Sequence, residues 1–259
     1  MSAGHGAHHG EGLYLPGDSL VHRVPAPAAL LGVLGFVLVV VATPADQPLA
    51  FVGYAVLLVV AVAVARLPVR TVLVRMLVEV PFVAYALLVP FVATGPQVEV
   101  LGVALARDGL VDAGAFLAKA TLGVVAAIVL GATQHPRDLL LGLQRLRMPG
   151  LVVTIAGFMF RYTEVVLAEM RRMRVARESR GFEGRSPRQV RVLAQSMGAL
   201  FIRSYERGER VHLAMLSRGW QGSMPAMAGL RDDAHRPWAW LPAAALPVVA
   251  LGLLAGTWA

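Results

Sequence analysis

The sequence predicts an all-α integral membrane protein with about five transmembrane helices and a cytoplasmic module of long amphipathic helices. Three observations predict it. Of 259 residues, 57% are hydrophobic, and the mean hydropathy of +0.64 is too high for a soluble chain of this length. The apolar residues gather into runs near the roughly 20 residues a helix needs to cross a bilayer. Between His135 and Pro237 the character changes: 18 Arg and no Lys stand against nine acids. The formal charge of +8 therefore concerns membrane orientation and anionic lipid first, not nucleic acid. The absence of cysteine excludes disulfides, thiolate metal sites and a cysteine nucleophile.

Residues 1–24 form a cytoplasmic N-terminal segment rich in Gly and His. His5, His8, His9 and His22 are four of the seven histidines. The segment reads as a solvated terminus; metal binding is the alternative that composition alone suggests. It lacks the apolar core of a secretory signal, so the first span serves as an uncleaved insertion signal.

Residues 25–134 hold four spans. The first covers about Pro25–Thr43 and ends at the turn Thr43-Pro44-Ala45-Asp46-Gln47-Pro48. The second covers about Leu49–Ala65. The third, about Val72–Thr94, contains Glu79, Pro81 and Pro90 and should be kinked. A loop, Gly95–Asp112, separates it from the fourth span, about Ala113–Thr133, where Lys119 near the start can snorkel outward. A fifth span, in residues 238–259, has Trp238 and Trp258 near its ends, where tryptophan favours the membrane interface. Arg66, Arg70 and Arg75 and the 135–237 segment mark the cytoplasmic side. The cation-poor 44–48 and 95–112 loops face outward, so the N-terminus lies inside and the C-terminus outside.

Residues 135–237 form the cytoplasmic module. A short helix, about Pro136–Arg147, precedes a long one opened by Pro149. In the long helix Leu151, Ile155, Phe158, Met159, Tyr162, Val165, Val166, Met170 and Met173 recur at helical spacing. Such a stripe is normally a packed face. Ser186-Pro187 resembles the start of a second long helix, with Val190, Leu193, Met197, Leu200 and Phe201 on its apolar side. Run from Pro187 to Arg218, it would be about 48 Å long at 1.5 Å per residue.

Each long helix ends in the same phrase. Ala176-Arg177-Glu178-Ser179-Arg180-Gly181-Phe182 and Ala214-Met215-Leu216-Ser217-Arg218-Gly219-Trp220 both read Ala-x-x-Ser-Arg-Gly-aromatic. Gly181 and Gly219 suit the left-handed residue that closes a helix. One such end is only a cation favoured by the helix dipole; two in one module point to a shared docking role. Arginine keeps its charge and offers five donors in a planar fork. Phe182 and Trp220 offer an apolar anchor beside each fork, with Arg177 in support. Two matched knobs suit a partner with two equivalent grooves, a two-fold dimer.

These residues resemble the transmembrane T component of energy-coupling-factor transporters, the EcfT/CbiQ family, and in particular the CbiQ type of cobalt uptake systems. Further matching stretches are Leu13-Tyr14-Leu15-Pro16-Gly17-Asp18-Ser19, Val21-His22-Arg23, Val80-Pro81-Phe82 through Val89-Pro90-Phe91, Phe160-Arg161-Tyr162 and Glu169-Met170-Arg171-Arg172. The two Ser-Arg-Gly triplets match the family's Ala-Arg-Gly-like coupling motifs, with serine for alanine. The resemblance implies a coupling subunit in the bacterial cell membrane that neither binds substrate nor hydrolyses ATP. Its partners would be a CbiO-like ATPase dimer, a CbiM-like substrate-binding S component and a small CbiN-like accessory protein. ATP and Mg would be bound by the ATPase subunits, with no cofactor, metal site or catalytic residue in this chain. The ATPase-coupling residues would be Ala176, Ser179, Arg180, Gly181, Ala214, Ser217, Arg218 and Gly219.

Other readings are weaker. Nickel or a vitamin could replace cobalt as the transported substrate. An autonomous permease needs ionisable groups at mid-membrane depth, for which Glu79 is the main acidic candidate, close to Arg75. An intramembrane hydrolase needs a His-Glu-x-x-His or Gly-x-Ser-x-Gly motif, and neither occurs. A scaffold that only binds anionic lipid leaves the repeated phrase unexplained. P-loop glycines are also absent, so any ATP is hydrolysed by another chain.

Overall fold

The computed structural model describes residues 13–93, 96–100, 103–182, 190–220 and 240–256, and only the backbone at 97–100 and 103–105. His5, His8, His9, Ser186-Pro187, Trp238 and Trp258 lie outside the described residues. In chain order the elements are α1 (Ala26–Ala42), α2 (Pro48–Val64), α3 (Val69–Arg75), a 3-10 turn (Met76–Glu79), α4 (Val80–Val92), β1 (Gln97–Val100), β2 (Val103–Ala106), α5 (Arg107–Thr133), α6 (Pro136–Arg145), α7 (Gly150–Glu178), α8 (Val190–Leu216) and α9 (Leu241–Gly256). They fall into two units. One contains α1–α5, the strands, α9 and most of α6; the other contains α7 and α8.

The first unit is a helical bundle. Helix α1 packs on α9 and α5, and α2 on α5 and α9. Small residues set the approach, as they do where helices associate without water. A Cβ on Gly32 would lie 2.5 Å from the Ala243 carbonyl oxygen, and one on Gly35 3.1 Å from Pro247. The centre is aromatic: Tyr54 stands edge-on to Phe36 and Phe51, with ring centroids 6.0 and 6.3 Å apart. The Thr43 hydroxyl donates to the Val39 carbonyl at 2.8 Å, so the Tyr54 hydroxyl, 3.1 Å away, donates to Thr43 Oγ1.

The third span is interrupted, as its prolines predict. The 3-10 turn divides it, Pro81 opens α4 and Pro90 sits in its last turn. Glu79, only 5% exposed, receives a hydrogen bond from the Thr121 hydroxyl on α5. Two expectations are corrected. The 95–112 loop contains an antiparallel hairpin, Gln97↔Ala106 to Val100↔Val103, and α5 begins at Arg107. The β-branched residues Val98, Val100 and Val103 favour the strands. Lys119 consequently lies inside α5, and its ammonium donates to the Val41 carbonyl at 3.0 Å, in an exposed bond at the C-terminal end of α1.

Among the described residues three stretches are long and apolar enough to cross a membrane: Val69–Val92, Arg107–Thr133 and Gly150–Glu178. The apolar helices α1, α2 and α9 have 17, 17 and 16 residues, about 25 Å each, close to the hydrocarbon thickness. Helix α7 is apolar at its start, but Glu169, Arg171, Arg172, Arg174, Arg177 and Glu178 crowd its last ten residues. In the second unit α7 buries only Thr154 and α8 only Leu200. The α7 stripe predicted as a packed face is only partly covered: Leu151, Ile155 and Met159 are 61, 50 and 66% exposed, while Phe158, Tyr162, Val165, Val166 and Met173 are half-buried. Among the described residues of this unit no further element covers it.

Candidate coupling site

The two repeated phrases fold alike. Helix α7 ends at Glu178, and Gly181 follows with φ of +77°; α8 ends at Leu216, and Gly219 follows with φ of +79°. At the first tip the Phe182 N–H donates to the Arg177 carbonyl at 3.2 Å and the Gly181 N–H to the Glu178 carbonyl at 3.0 Å. At the second, the Trp220 N–H donates to Met215 and the Gly219 N–H to Leu216, both at 3.0 Å. Both are Schellman caps, which satisfy the last helical carbonyls and need a left-handed residue. Glycine supplies it without steric cost, and a Cβ at either glycine would meet nothing within 4 Å.

The serines tighten these ends. Ser179 Oγ donates to the Val175 carbonyl at 2.9 Å, and Ser217 Oγ to the Ala214 carbonyl at 3.0 Å. Both side chains are thereby turned back along their helices. Arg180 and Arg218 are exposed, as are Ala176, Ala214, Ser179 and Ser217. Neither guanidinium has a partner among the described residues. The aromatic residues fold back on their own helices. Phe182 receives the Arg177 guanidinium 5.6 Å from its ring centre, a cation–π contact. Trp220 stands edge-on to His212 at 5.6 Å. Arg177 Nε and Trp220 Nε1 are buried without a hydrogen-bond partner among the described residues.

The local charges explain why the tip arginines stay unmatched. Three acids on the helices, Glu169, Glu178 and Glu206, are engaged by other arginines. Glu178 accepts from Arg174 Nε at 2.7 Å, which raises the Arg174 pKa. Glu169 accepts from Arg172 on its own helix and from Arg203 on α8, each at 2.5 Å. The bond from Arg172, then that from Arg203, holds the Glu169 carboxyl below its ordinary pKa. Glu206 lies 3.9 Å from Arg210. The positive ends of the module are therefore Arg180 and Arg218, at the C-terminal poles of two long helices.

Sequence reasoning missed the Glu169–Arg203 bridge between α7 and α8, whose partners lie 34 positions apart and leave no local signal. It also missed two further caps of the same kind, at Arg66 and Arg147, with φ of +53° and +61°. The signal for those was present: Arg66-Leu67-Pro68 and Arg147-Met148-Pro149 repeat an Arg-apolar-Pro corner. Among the described residues no group of three or more metal-ligating side chains occurs.

A family model described as cobalt transport protein, CbiQ, matches residues 17–227. Curated relatives agree. The chain is similar to the cobalt transport protein CbiQ of Rhodobacter capsulatus, 28% identical over 207 residues, 80% of this chain and 82% of that one. It is also similar to the energy-coupling factor transporter transmembrane protein EcfT of Thermanaerovibrio acidaminovorans, 28% identical over 230 residues, 82% of this chain and 83% of that one. For EcfT of Bacillus subtilis the identity is 25% over 228 residues, 82% and 84% of the two chains.

Proposed function

The chain belongs to the CbiQ family of cobalt transport proteins, and from that membership we propose that it is the coupling subunit of a cobalt importer, driven by a separate ATPase dimer. It is a multi-pass membrane component of an energy-coupling-factor transporter. The observation that carries the finer reading is the pair of matched caps. Two long helices end in the same backbone turn, each with a serine bonded back to a carbonyl of its last turn and one exposed arginine unmatched among the described residues. A two-fold ATPase dimer offers two equivalent grooves for such knobs.

In this reading Arg180 and Arg218 enter the grooves and form charge-assisted bonds to carboxylates or carbonyls, each about 1.5–3 kcal/mol. Ala176 and Ala214 keep the last turn slim, and Gly181 and Gly219 let another backbone approach. ATP binding and release open and close the dimer, and α7 and α8, tied by Glu169–Arg203, carry the movement. The open faces around Met159 and Phe160 on α7 and Met197 and Phe201 on α8 take up the substrate-binding subunit. ATP and Mg belong to the ATPase subunits. The N-terminus and the module are cytoplasmic, by the arginine distribution. The relatives named EcfT carry no substrate in their names, which favours nickel or a vitamin as the second reading.

The double variant Arg180→Ala/Arg218→Ala should insert normally and lose cobalt uptake, measured with labelled cobalt in cells expressing the whole transporter. Wild-type uptake by that variant, with ATPase subunits still co-purifying, contradicts the docking role. Nickel competing as well as cobalt for wild-type uptake would move the substrate to the second reading.

A further inference from the structure

One corner of the membrane unit carries two arginines, Arg66 and Arg70, that no described residue engages through the guanidinium. After α2 the chain turns at Arg66 in the left-handed region. The Leu67 N–H donates to the Val62 carbonyl at 3.2 Å and the Arg66 N–H to the Ala63 carbonyl at 3.0 Å. The coupling tips use glycine in this position; this corner keeps arginine despite the strain of a side chain there. Leu67 is buried with Ala65 and Val72, which fixes the turn and hence the arginine's backbone. Arg70 follows one turn into the next span. Both arginines are exposed, and neither has a hydrogen bond or ion pair through its guanidinium among the described residues.

No acid occurs between Asp46 and Glu79, and Glu79 is buried against Thr121. The segment packed on this corner through Leu15 and Val21 adds the exposed Arg23 and Asp18. Below Arg70, at spacings of three, four and seven, Leu73, Val74 and Leu77 are 59, 57 and 65% exposed. An unpaired arginine heading an open apolar stripe on a membrane-crossing segment places a cation at headgroup level and hydrocarbon beneath it.

We propose that Arg66 and Arg70 bind the phosphate of an anionic glycerophospholipid whose acyl chains lie along Leu73, Val74 and Leu77. The proposal deepens the reading of this chain as a membrane subunit with its arginine-rich corner at the inner leaflet. Two guanidinium forks match the oxygens of one phosphate. The fixed turn at Arg66 holds one of them in place before the lipid arrives.

The test uses the full-length chain in nanodiscs of phosphatidylcholine mixed with phosphatidylglycerol, followed by native mass spectrometry of the lipids retained in detergent. The wild type should retain phosphatidylglycerol selectively. The variant Arg66→Gly/Arg70→Gln keeps the cap, so its helicity should be unchanged. Its selectivity should fall about thirtyfold, from about fivefold for each cation near an anionic surface. Arg66→Lys/Arg70→Lys should keep most of it. Equal retention of the two lipids by the wild type, or wild-type selectivity in the Gly/Gln variant, overturns the proposal. So does saturable stabilisation by inorganic phosphate in neutral lipid that is lost in the same variant, because the ligand would then be a free anion. The variant leaves Arg180 and Arg218 intact, so ATPase co-purification reports on the coupling reading separately.

Discussion

The membrane unit and the coupling module are built from similar helices but differ in how much of themselves they bury. In the first, Phe36, Tyr54 and Ala250 are wholly enclosed, and Gly32 lies against the backbone of α9. In the second, two helices of 29 and 27 residues bury one side chain each, Thr154 and Leu200. The first has a closed core of its own, with its outer apolar side chains exposed. The second leaves apolar faces and both tip arginines open among the described residues. On the proposed coupling role, that difference is what a lever between subunits needs: a fixed mounting, and arms left open to what they move.

One substitution made in both units probes the contrast most sharply. Gly32→Ala should destabilise the bundle by about 1–3 kcal/mol, because the added carbon meets a backbone oxygen that has no rotamer to escape into. Gly198→Ala, on α8 with nothing within 4 Å, should stabilise its helix by up to about 1 kcal/mol. Thermal melting of the two purified variants checks both signs; similar losses in each would mean that the module is as tightly packed as the bundle.

Next in size are the caps. Gly181→Ala and Gly219→Ala meet no neighbour, so only the left-handed backbone resists them, at about 1 kcal/mol each. Amide exchange should quicken in the last turns of α7 and α8 while the bundle is unaffected.

The smallest effect concerns the bridge between the two arms. Glu169 has its pKa lowered by Arg172 and Arg203. A lowered carboxylate contributes stability that is present above its unfolded value and lost as pH falls through the folded value. The α7–α8 spacing, followed by spin labels, should therefore hold from about pH 8 to pH 6 and loosen only below the ordinary glutamate range, about 4.3. Loosening near neutrality would assign the link to another group.

Much of this was legible in the sequence. Apolar runs placed the bundle helices within a few residues, because a span must be long and continuous. Gly181 and Gly219 announced their caps, because few other residues take that backbone easily. Arg66 and Arg147 were marked only by the proline two residues on, since arginine itself has no preference for that backbone. The strands at Gln97–Val100 and Val103–Ala106 were hidden in a segment too short to show a period, and the early start of α5 followed from the same omission. The openness of the α7 stripe could not be read either. Spacing shows which residues share a face, whereas burial depends on what else is available to cover it.

The central claim, that the two tips are gripped by an ATPase pair, can be tested on this chain directly because it contains no cysteine. Single cysteines in place of Ser179, Ser217 or the mid-helix Ser196 would each be oxidised in membranes containing the whole transporter, with one cysteine in the ATPase groove. Ser179→Cys and Ser217→Cys should each give an adduct with one ATPase subunit, in yields that change with bound nucleotide, while Ser196→Cys gives none. Adducts from Ser196→Cys as strong as those from the tips, or none from either tip, would contradict the account.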